Sequence, residues 1–245
     1  MSEVNKSDVV LFVNEIFGPT IQGEGTNIGK PCLFIRLSGC DFKCVWCDTY
    51  HDSYTGMSTN TILDVLDNLG KGTLKHVVLT GGNPLKDANC VTLVENLMAA
   101  GYTVEIETQG SIVREFPKGV KLTISPKGPS AGNTAFADIE VYYSKILDLV
   151  QRHQNVTLKL MSDGREDDIE NAKAIMEAIV ENNLENNIEH VIINAVNTVE
   201  EVDMIAYKDN CTAFASLEIV PDSLKSKVRI LTQLHKIVWP NQAGV

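Results

Sequence analysis

Short apolar, β-branched runs alternate with helical patterns along this chain of 245 residues, and its distinctive polar clusters fall just after the runs. The runs at 32–37, 76–80, 103–107, 121–125, 157–161 and 190–194 predict strands. Helical periodicity predicts helices over 59–69, 88–100, 136–151 and 166–182. A last one is expected near 222–238, where Pro221 and Asp222 suit a helix entry. Strands spaced by helices imply βαβ units, a parallel sheet and right-handed crossovers. The N-terminal run 9–17 predicts one additional strand. Six βα units fall short of the eight that close a barrel. The expected fold is therefore α/β: a partial, open TIM-like β/α barrel of about six parallel strands, plus the N-terminal strand and a C-terminal helix and tail. Hydrophobic content of 44% supplies one sizeable core, and no repeat, low-complexity tract or long linker divides the chain. One domain over residues 1–245 is expected.

Cys40 follows the first predicted parallel strand, Gly81-Gly82-Asn83-Pro84 the second, Thr108-Gln109-Gly110 the third and Pro126-Lys127 the fourth. In a parallel α/β fold these strand ends share one face, where active sites are built. Segments far apart in sequence then converge on one mouth. Period-2 alternation sets Phe34 and Arg36 opposite Leu33, Ile35 and Leu37, and sets Glu105 and Glu107 opposite Val104 and Ile106. Lys159 interrupts another apolar strand. A solvated edge would hold such charges, but parallel strands are usually covered on both faces. A charged lumen that binds a polar ligand is the expectation.

Cys40, Cys44 and Cys47 stand in the spacing C-x3-C-x2-C. Three thiolates on one short loop can hold a cubane iron–sulfur cluster at three corners. With no fourth cysteine nearby, one iron is left open to a substrate or cofactor, as at catalytic zinc sites. The alternative is zinc, since His51 completes a C-x3-C-x2-C-x3-H set. Gly81 to Pro84 reads as a tight strand-to-helix turn whose glycines also let a ligand approach the backbone. Gly18 to Gly25 reads as a loop that offers Gln22 and Glu24 to a heterocycle's N–H edge, and Arg36 can clamp a carboxylate. Asp48 suits a turn, whereas the Thr49 hydroxyl can ligate a hard cation such as Mg2+. Lys127 is either a surface cation or a partner for a ligand carboxylate. His235 falls in a helical stretch, where a solvated or capping histidine is the commoner case.

Acidic residues outnumber basic ones 32 to 21, for a net charge of −11. That field repels phosphate backbones, so no nucleic-acid partner is expected. The first seven residues are polar and carry no signal-peptide pattern, and no apolar run approaches a membrane span. A cytoplasmic location is expected, where clustered cysteines read as metal-binding or catalytic. Cys32, Cys90 and Cys211 are isolated and read as buried small apolar residues.

Taken together, the C-x3-C-x2-C loop with Trp46 before its third cysteine and the Gly-Gly-x-Pro turn after the next strand resemble radical S-adenosylmethionine (radical SAM) enzymes. Phe17 to Gly25, Glu107 to Gly110, Ser125-Pro126-Lys127 and the tail Trp239 to Val245 resemble the 7-carboxy-7-deazaguanine synthases within them. The resemblance runs from about residue 17 to the end. It implies a [4Fe–4S] cluster on Cys40, Cys44 and Cys47, with SAM on the open iron and cleaved to a 5′-deoxyadenosyl radical. Trp46, Cys47, Asp48, Gly82, Ser125, Pro126 and Lys127 are implied SAM contacts. The implied substrate is 6-carboxy-5,6,7,8-tetrahydropterin, held by Ile21, Gln22, Glu24, Arg36 and Thr80, with His235 near and the Val245 carboxylate closing over it. Thr49 is implied in a Mg2+ site. Ring contraction with loss of ammonia and regeneration of SAM follows, feeding queuosine-type deazapurine synthesis. An electron donor such as flavodoxin and a homodimer are implied as well. Asn83 departs from the Glu of many radical SAM proteins. Two alternatives remain open at this level: a radical SAM activase acting on a protein partner, and a zinc-stabilised binding module.

Overall fold

The computed structural model describes residues 7–132, 139–197, 202–239, 242 and 244. Among the described residues, nine strands form one sheet. In chain order they are β1 (Val10–Ile21), β2 (Pro31–Leu37), β3 (Thr55–Ser58), β4 (His76–Gly81), β5 (Thr103–Thr108), β6 (Lys121–Ile124), β7 (Val156–Ser162), β8 (Ile188–Ala195) and β9 (Val228–Leu231). The helices are α1 (Thr59–Leu69), α2 (Cys90–Ala99), α3 (Ile139–Arg152), α4 (Glu166–Glu181), α5 (Met204–Phe214) and α6 (Leu234–Val238). Spatial order is β3-β1-β2-β4-β5-β6-β7-β8-β9. From β2 onward, β3 aside, the neighbours pair in parallel, and β1 runs antiparallel to both β2 and β3. The partial-barrel expectation thus holds, with seven parallel strands where about six were expected.

The two strand faces divide as the alternation requires. Leu33, Ile35 and Leu37 of β2, Val77 and Leu79 of β4, and Val104 and Ile106 of β5 lie in the main core with Ile62, Leu66, Leu93 and Leu97 of the covering helices. Burying such side chains stabilises by about 1.5–3 kcal/mol each. The other face holds a small apolar group, Cys32, Phe34 and Val78, and beside it the buried polar side chains Thr80, Glu105, Thr123 and Lys159. Glu105 is only 1% exposed, which rules out a solvated edge.

Residues 22–30 turn back beneath this lumen. Asn27 Nδ2 donates to Glu105 Oε2 at 2.7 Å, and the Thr26 and Thr157 hydroxyls lie 2.6 Å apart. Thr123 also donates to Glu105 at 3.2 Å. The base of the open barrel is thereby filled by the chain itself, and space is left at the C-terminal strand ends.

Several elements differ from expectation. Strand β1 continues through Gly18 to Ile21 with a register shift between Phe17 and Thr20, so the loop begins only at Gln22. The helix expected near 222–238 is three elements: a 3-10 segment Asp222–Lys227, the strand β9 and the short α6. Helical spacing in the 3-10 segment masked Val228-Arg229-Ile230-Leu231, which is too short to show its own alternation. Strand β3 carries one large apolar residue, Met57, and exists by pairing with β1. Helix α5 buries Ala206, Asn210 and Phe214, a stripe in which a central Asn hides the apolar period. Helix α2 starts at Cys90, after a 3-10 turn at Pro84–Lys86. Residues 136–138 of the third expected helix lie outside the described residues. Cys32 and Cys90 are fully buried, and burial pushes both thiols up to about 12; Cys211 is only half-buried. No helix of the described residues is long and apolar enough to cross a membrane.

Candidate active site at the C-terminal strand ends

The cysteine loop leaves β2 and is pinned at several points. Ser38 N–H donates to Phe12 O at 2.8 Å, and Gly39 N–H and the Ser38 hydroxyl both donate to His51 O. Asn83 N–H donates to Gly39 O at 2.9 Å, and Val45 N–H to Ala131 O at 3.0 Å. The loop therefore rests on β1, on the turn after β4 and on the segment after β6. Gly82 is required by this packing: a Cβ there would lie 2.4 Å from Gly39 O and 2.7 Å from Cys40 Cβ. All three cysteines are free, and burial raises the Cys40 and Cys44 thiols.

Two adjoining cavities open here. The larger, about 310 Å³, is lined by Cys40, Cys44, Cys47, His51, Gly82 and Gln109 among others. The smaller, about 190 Å³, is lined by Phe17, Ile21, Gln22, Glu24, Phe34, Arg36 and His235 among others. Trp46, Asp48, Thr49, Thr80, Gly81, Glu107, Ser125, Lys127 and Lys159 line both. Ligands in the two cavities would share these walls.

The smaller cavity is a charged box with one aromatic wall. Phe17 and Phe34 stack at 4.9 Å between centroids, with 4° between planes. The Arg36 guanidinium lies 5.8 Å from the Phe17 ring, donates to Glu15 Oε1 at 2.7 Å and reaches the Thr49 hydroxyl at 3.3 Å. Lys159 Nζ donates to Glu24 Oε2 and lies 3.9 Å from Glu107 Oε1; Gln233 Nε2 donates to Glu24 Oε1. Burial works against ionisation of Glu24, but Lys159, His235 and Gln233 outweigh it and hold the carboxyl down to about 2. Burial, with Glu24 and Glu105 adding to it, raises Glu107 despite Lys159. Burial alone would lower Lys159, and Glu107 and Glu24 outweigh it, so that ammonium is more basic than usual.

In the larger cavity, Lys127 Nζ donates to Ser125 Oγ at 3.0 Å and stands 5.2 Å from the Trp46 ring. It forms no salt bridge among the described residues, and burial and Lys159 lower its basicity. An ammonium so placed favours an anionic guest. Three soft sulfur donors, a neighbouring cation in no salt bridge among the described residues and adjoining space form a donor set that fits an iron–sulfur cluster and a zwitterionic cofactor. The zinc alternative fares worse. A closed zinc tetrahedron with Zn–S near 2.3 Å sets its ligand atoms about 3.8 Å apart. Among the described residues, Asp163, Asp167 and Asp168 are the three whose ligand atoms all lie within 4.8 Å, and Cys40, Cys44, Cys47 and His51 supply no such group.

Of the residues singled out from sequence, Trp46, Cys47, Asp48, Gly82, Ser125 and Lys127 line the larger cavity, whereas Pro126 lines neither. Ile21, Gln22, Glu24, Arg36, Thr80 and His235 line the smaller, and Thr49 lines both. Lys127 is a lining cation and not a surface one. His235 is half-buried on α6, with its ring against Gly23 and lining the smaller cavity. Val245 lies outside the described residues. Glu107, Lys159 and Gln233 join the site without having been assigned a role. The first two were visible as charges inside apolar strands. Gln233 carried no signal, because its strand–turn–helix context read as one helix.

The fold and this arrangement agree with a family match. The model of the Radical SAM superfamily matches residues 34–207, and the chain belongs to that superfamily. Membership implies a [4Fe–4S] cluster and SAM. The 7-carboxy-7-deazaguanine synthase of Bacillus subtilis (strain 168) is 31% identical over 242 residues, 95% of this chain and 98% of the relative. That of Aquifex aeolicus (strain VF5) is 39% identical over 132 residues, 52% of this chain and 59% of the relative. The crystal structure of QueE from Escherichia coli matches with a TM-score of 0.65 at 23% identity, covering 92% of this chain and 95% of that one. Within the superfamily the chain is thus an enzyme of the 7-carboxy-7-deazaguanine synthase family.

Proposed function

We propose that this chain contracts 6-carboxy-5,6,7,8-tetrahydropterin to 7-carboxy-7-deazaguanine with loss of ammonia, in queuosine-type deazapurine synthesis. The observation that carries this reading is the pair of adjoining cavities, one lined by three thiols and the other by Glu24, Arg36 and two stacked phenylalanines, with nine residues common to both. When bound, the cluster and SAM would supply the radical chemistry of the reaction, with SAM used catalytically.

The chain's own residues bind and orient. Cys40, Cys44 and Cys47 hold the cluster. Trp46, Asp48, Gly82, Ser125 and Lys127 hold SAM, with the Lys127 ammonium on its carboxylate. Gln22 and Glu24 take the N–H edge of the pterin. Arg36 takes its carboxylate, and the Phe17 and Phe34 rings offer a flat wall. Thr49, in reach of Arg36, belongs to a Mg2+ site shared with the substrate. Ile21, Thr80 and His235 complete the pterin contacts. Glu107 faces both guests, and burial raises its carboxyl above the usual carboxylate range.

The chain works as one domain, as a homodimer in the cytoplasm, with an electron donor such as flavodoxin. Its net charge of −11 favours a small molecule over nucleic acid. The test is product mass spectrometry after anaerobic incubation of the reconstituted enzyme with pterin, SAM, Mg2+ and reductant. An intact cluster without conversion would remove the substrate assignment. Loss of iron in Cys44→Ala but not in His51→Ala separates the cluster from zinc.

A further inference from the structure

Gln109 follows β5 and is 4% exposed, pressed against the cysteine loop. Its Nε2 lies 2.7 Å from Asp41 Oδ1, 3.7 Å from Cys40 Sγ and 3.3 Å from Ser111 Oγ. An ionised carboxylate only accepts hydrogen bonds. Asp41 therefore fixes the amide with its nitrogen, and not its oxygen, toward the thiol. Asn83 secures the same frame from β4: its Oδ1 accepts from Leu85 N–H at 3.2 Å and from the Thr108 hydroxyl at 3.0 Å. Its Nδ2 is thereby turned to the same Asp41 oxygen, at 2.9 Å, and to Ser111 Oγ, at 3.0 Å.

The three cysteines are not equivalent in this frame. Cys40 Sγ receives the Phe42 backbone N–H at 3.3 Å as well as the Gln109 amide. Cys47 Sγ instead donates to Thr49 O at 3.5 Å. Among the described residues, Cys40 is the one of the three whose sulfur accepts from a side chain. Hydrogen bonds to cluster sulfurs are one of the levers that set an iron–sulfur potential. The reduced cluster carries one more negative charge, so an N–H directed at its sulfur favours the reduced form.

We propose that Gln109 is a positioning residue for the cluster: its amide holds Asp41 and directs an N–H at Cys40 Sγ, raising the potential at which the cluster takes up its electron. The proposal rests on the cluster reading of the three cysteines. Ser111 competes for the same Gln109 nitrogen, which makes the prediction two-signed. In Gln109→Met, nearly the same shape without the N–H, the midpoint of the reconstituted holoenzyme becomes more negative. In Ser111→Ala, with the competing acceptor removed, it becomes less negative.

The experiment is an anaerobic redox titration followed by electron paramagnetic resonance, with iron and sulfide content measured on each sample. Opposite shifts at unchanged cluster content are the expected result. A midpoint at the wild-type value in Gln109→Met with its cluster intact overturns the proposal. If that variant does not assemble a cluster, Ser111→Ala decides, and an unmoved or more negative midpoint there overturns it. A wild-type protein without iron and sulfide removes the cluster reading itself, an outcome that the content measurement tells apart from the others.

Discussion

Lys159 and Glu24 form an ion pair inside the open barrel, between β7 and the loop that follows β1, 135 residues apart in the chain. Both side chains are about nine-tenths buried. The same ammonium faces Glu107 at 3.9 Å, so one cation serves two carboxylates. Lys159→Met leaves both without it. Removing one partner of a buried pair costs about 3–5 kcal/mol, and the variant should lose at least the lower figure in urea unfolding. A loss below about 1 kcal/mol would mean that the pair is solvated.

The pair also predicts a pH dependence. Glu24 is held at about 2 in the folded chain against an ordinary 4.5. An acid depressed in this way stabilises the fold above its unfolded value, and that contribution is lost as pH falls from 4.5 toward 2. Glu107 is displaced upward by burial, so its contribution has the opposite sign: it is full at low pH and is lost as pH rises past 4.5 toward its folded value. Glu24→Gln should therefore flatten the acid limb of the stability profile below pH 4.5. A profile parallel to wild type across that window would remove Glu24 as its source.

Arg36 reaches the smaller cavity while donating to Glu15 and Thr49 at once. Lysine has a single ammonium and cannot hold two partners and a bidentate carboxylate in one plane. Arg36→Lys should weaken pterin binding roughly tenfold, the loss of about one charge-assisted hydrogen bond. SAM affinity should stay unchanged. Calorimetric titration with each ligand separates the two, and equal weakening of both would place Arg36 in a structural role.

How far the sequence could be read shows in which strands it disclosed. The six strands β2 and β4 to β8 are short runs of branched residues with clear flanks, and their residue ranges differ from the observed ones by at most two positions at either end. Polar residues after them were legible for the same reason: a parallel sheet leaves its C-terminal ends on one side. Strand β3, with Thr55, Gly56, Met57 and Ser58, has no pattern of its own and forms because β1 offers it an edge. Strand β9 and α6 were obscured because three- and four-residue spacings continue across residues 222–238. Gln233 was lost with them, although it is one of the two donors to Glu24. Tertiary pairing, which no local window contains, made the difference in each case.

Lys127 has hydroxyl and aromatic neighbours and forms no salt bridge among the described residues. Lys127→Met keeps much of the length and removes the charge. SAM binding should weaken by about 1.5–3 kcal/mol, the worth of a hydrogen bond to a charged group. The iron content and the pterin affinity should stay near wild type. Equilibrium dialysis with labelled SAM measures the first quantity. Unchanged SAM affinity would turn Lys127 away from the cofactor and toward the smaller cavity, which it also lines.

The last prediction concerns how the C-terminal segment is held. Leu234 N–H donates to Gly23 O at 2.9 Å, and Lys236 Nζ lies 3.3 Å from Asp48 Oδ2. Helix α6 is thus tied to the loop after β1 and to the cysteine loop. A Cβ on Gly23 would fall 2.1 Å from His235 Nδ1 and 2.7 Å from Cγ, so Gly23→Ala must displace the ring and α6 with it. Overpacking of this kind costs about 1–3 kcal/mol. The KM for the pterin should rise, while 5′-deoxyadenosine release without substrate should not change, because that wall of the larger cavity does not include residue 23. Adding His235→Ala to Gly23→Ala removes the ring contacts and leaves the 2.9 Å approach to the residue-235 Cβ, so it should restore part of the stability but not the KM. If the single variant is as stable as wild type and binds pterin equally well, His235 is free to move and α6 does not define the smaller cavity.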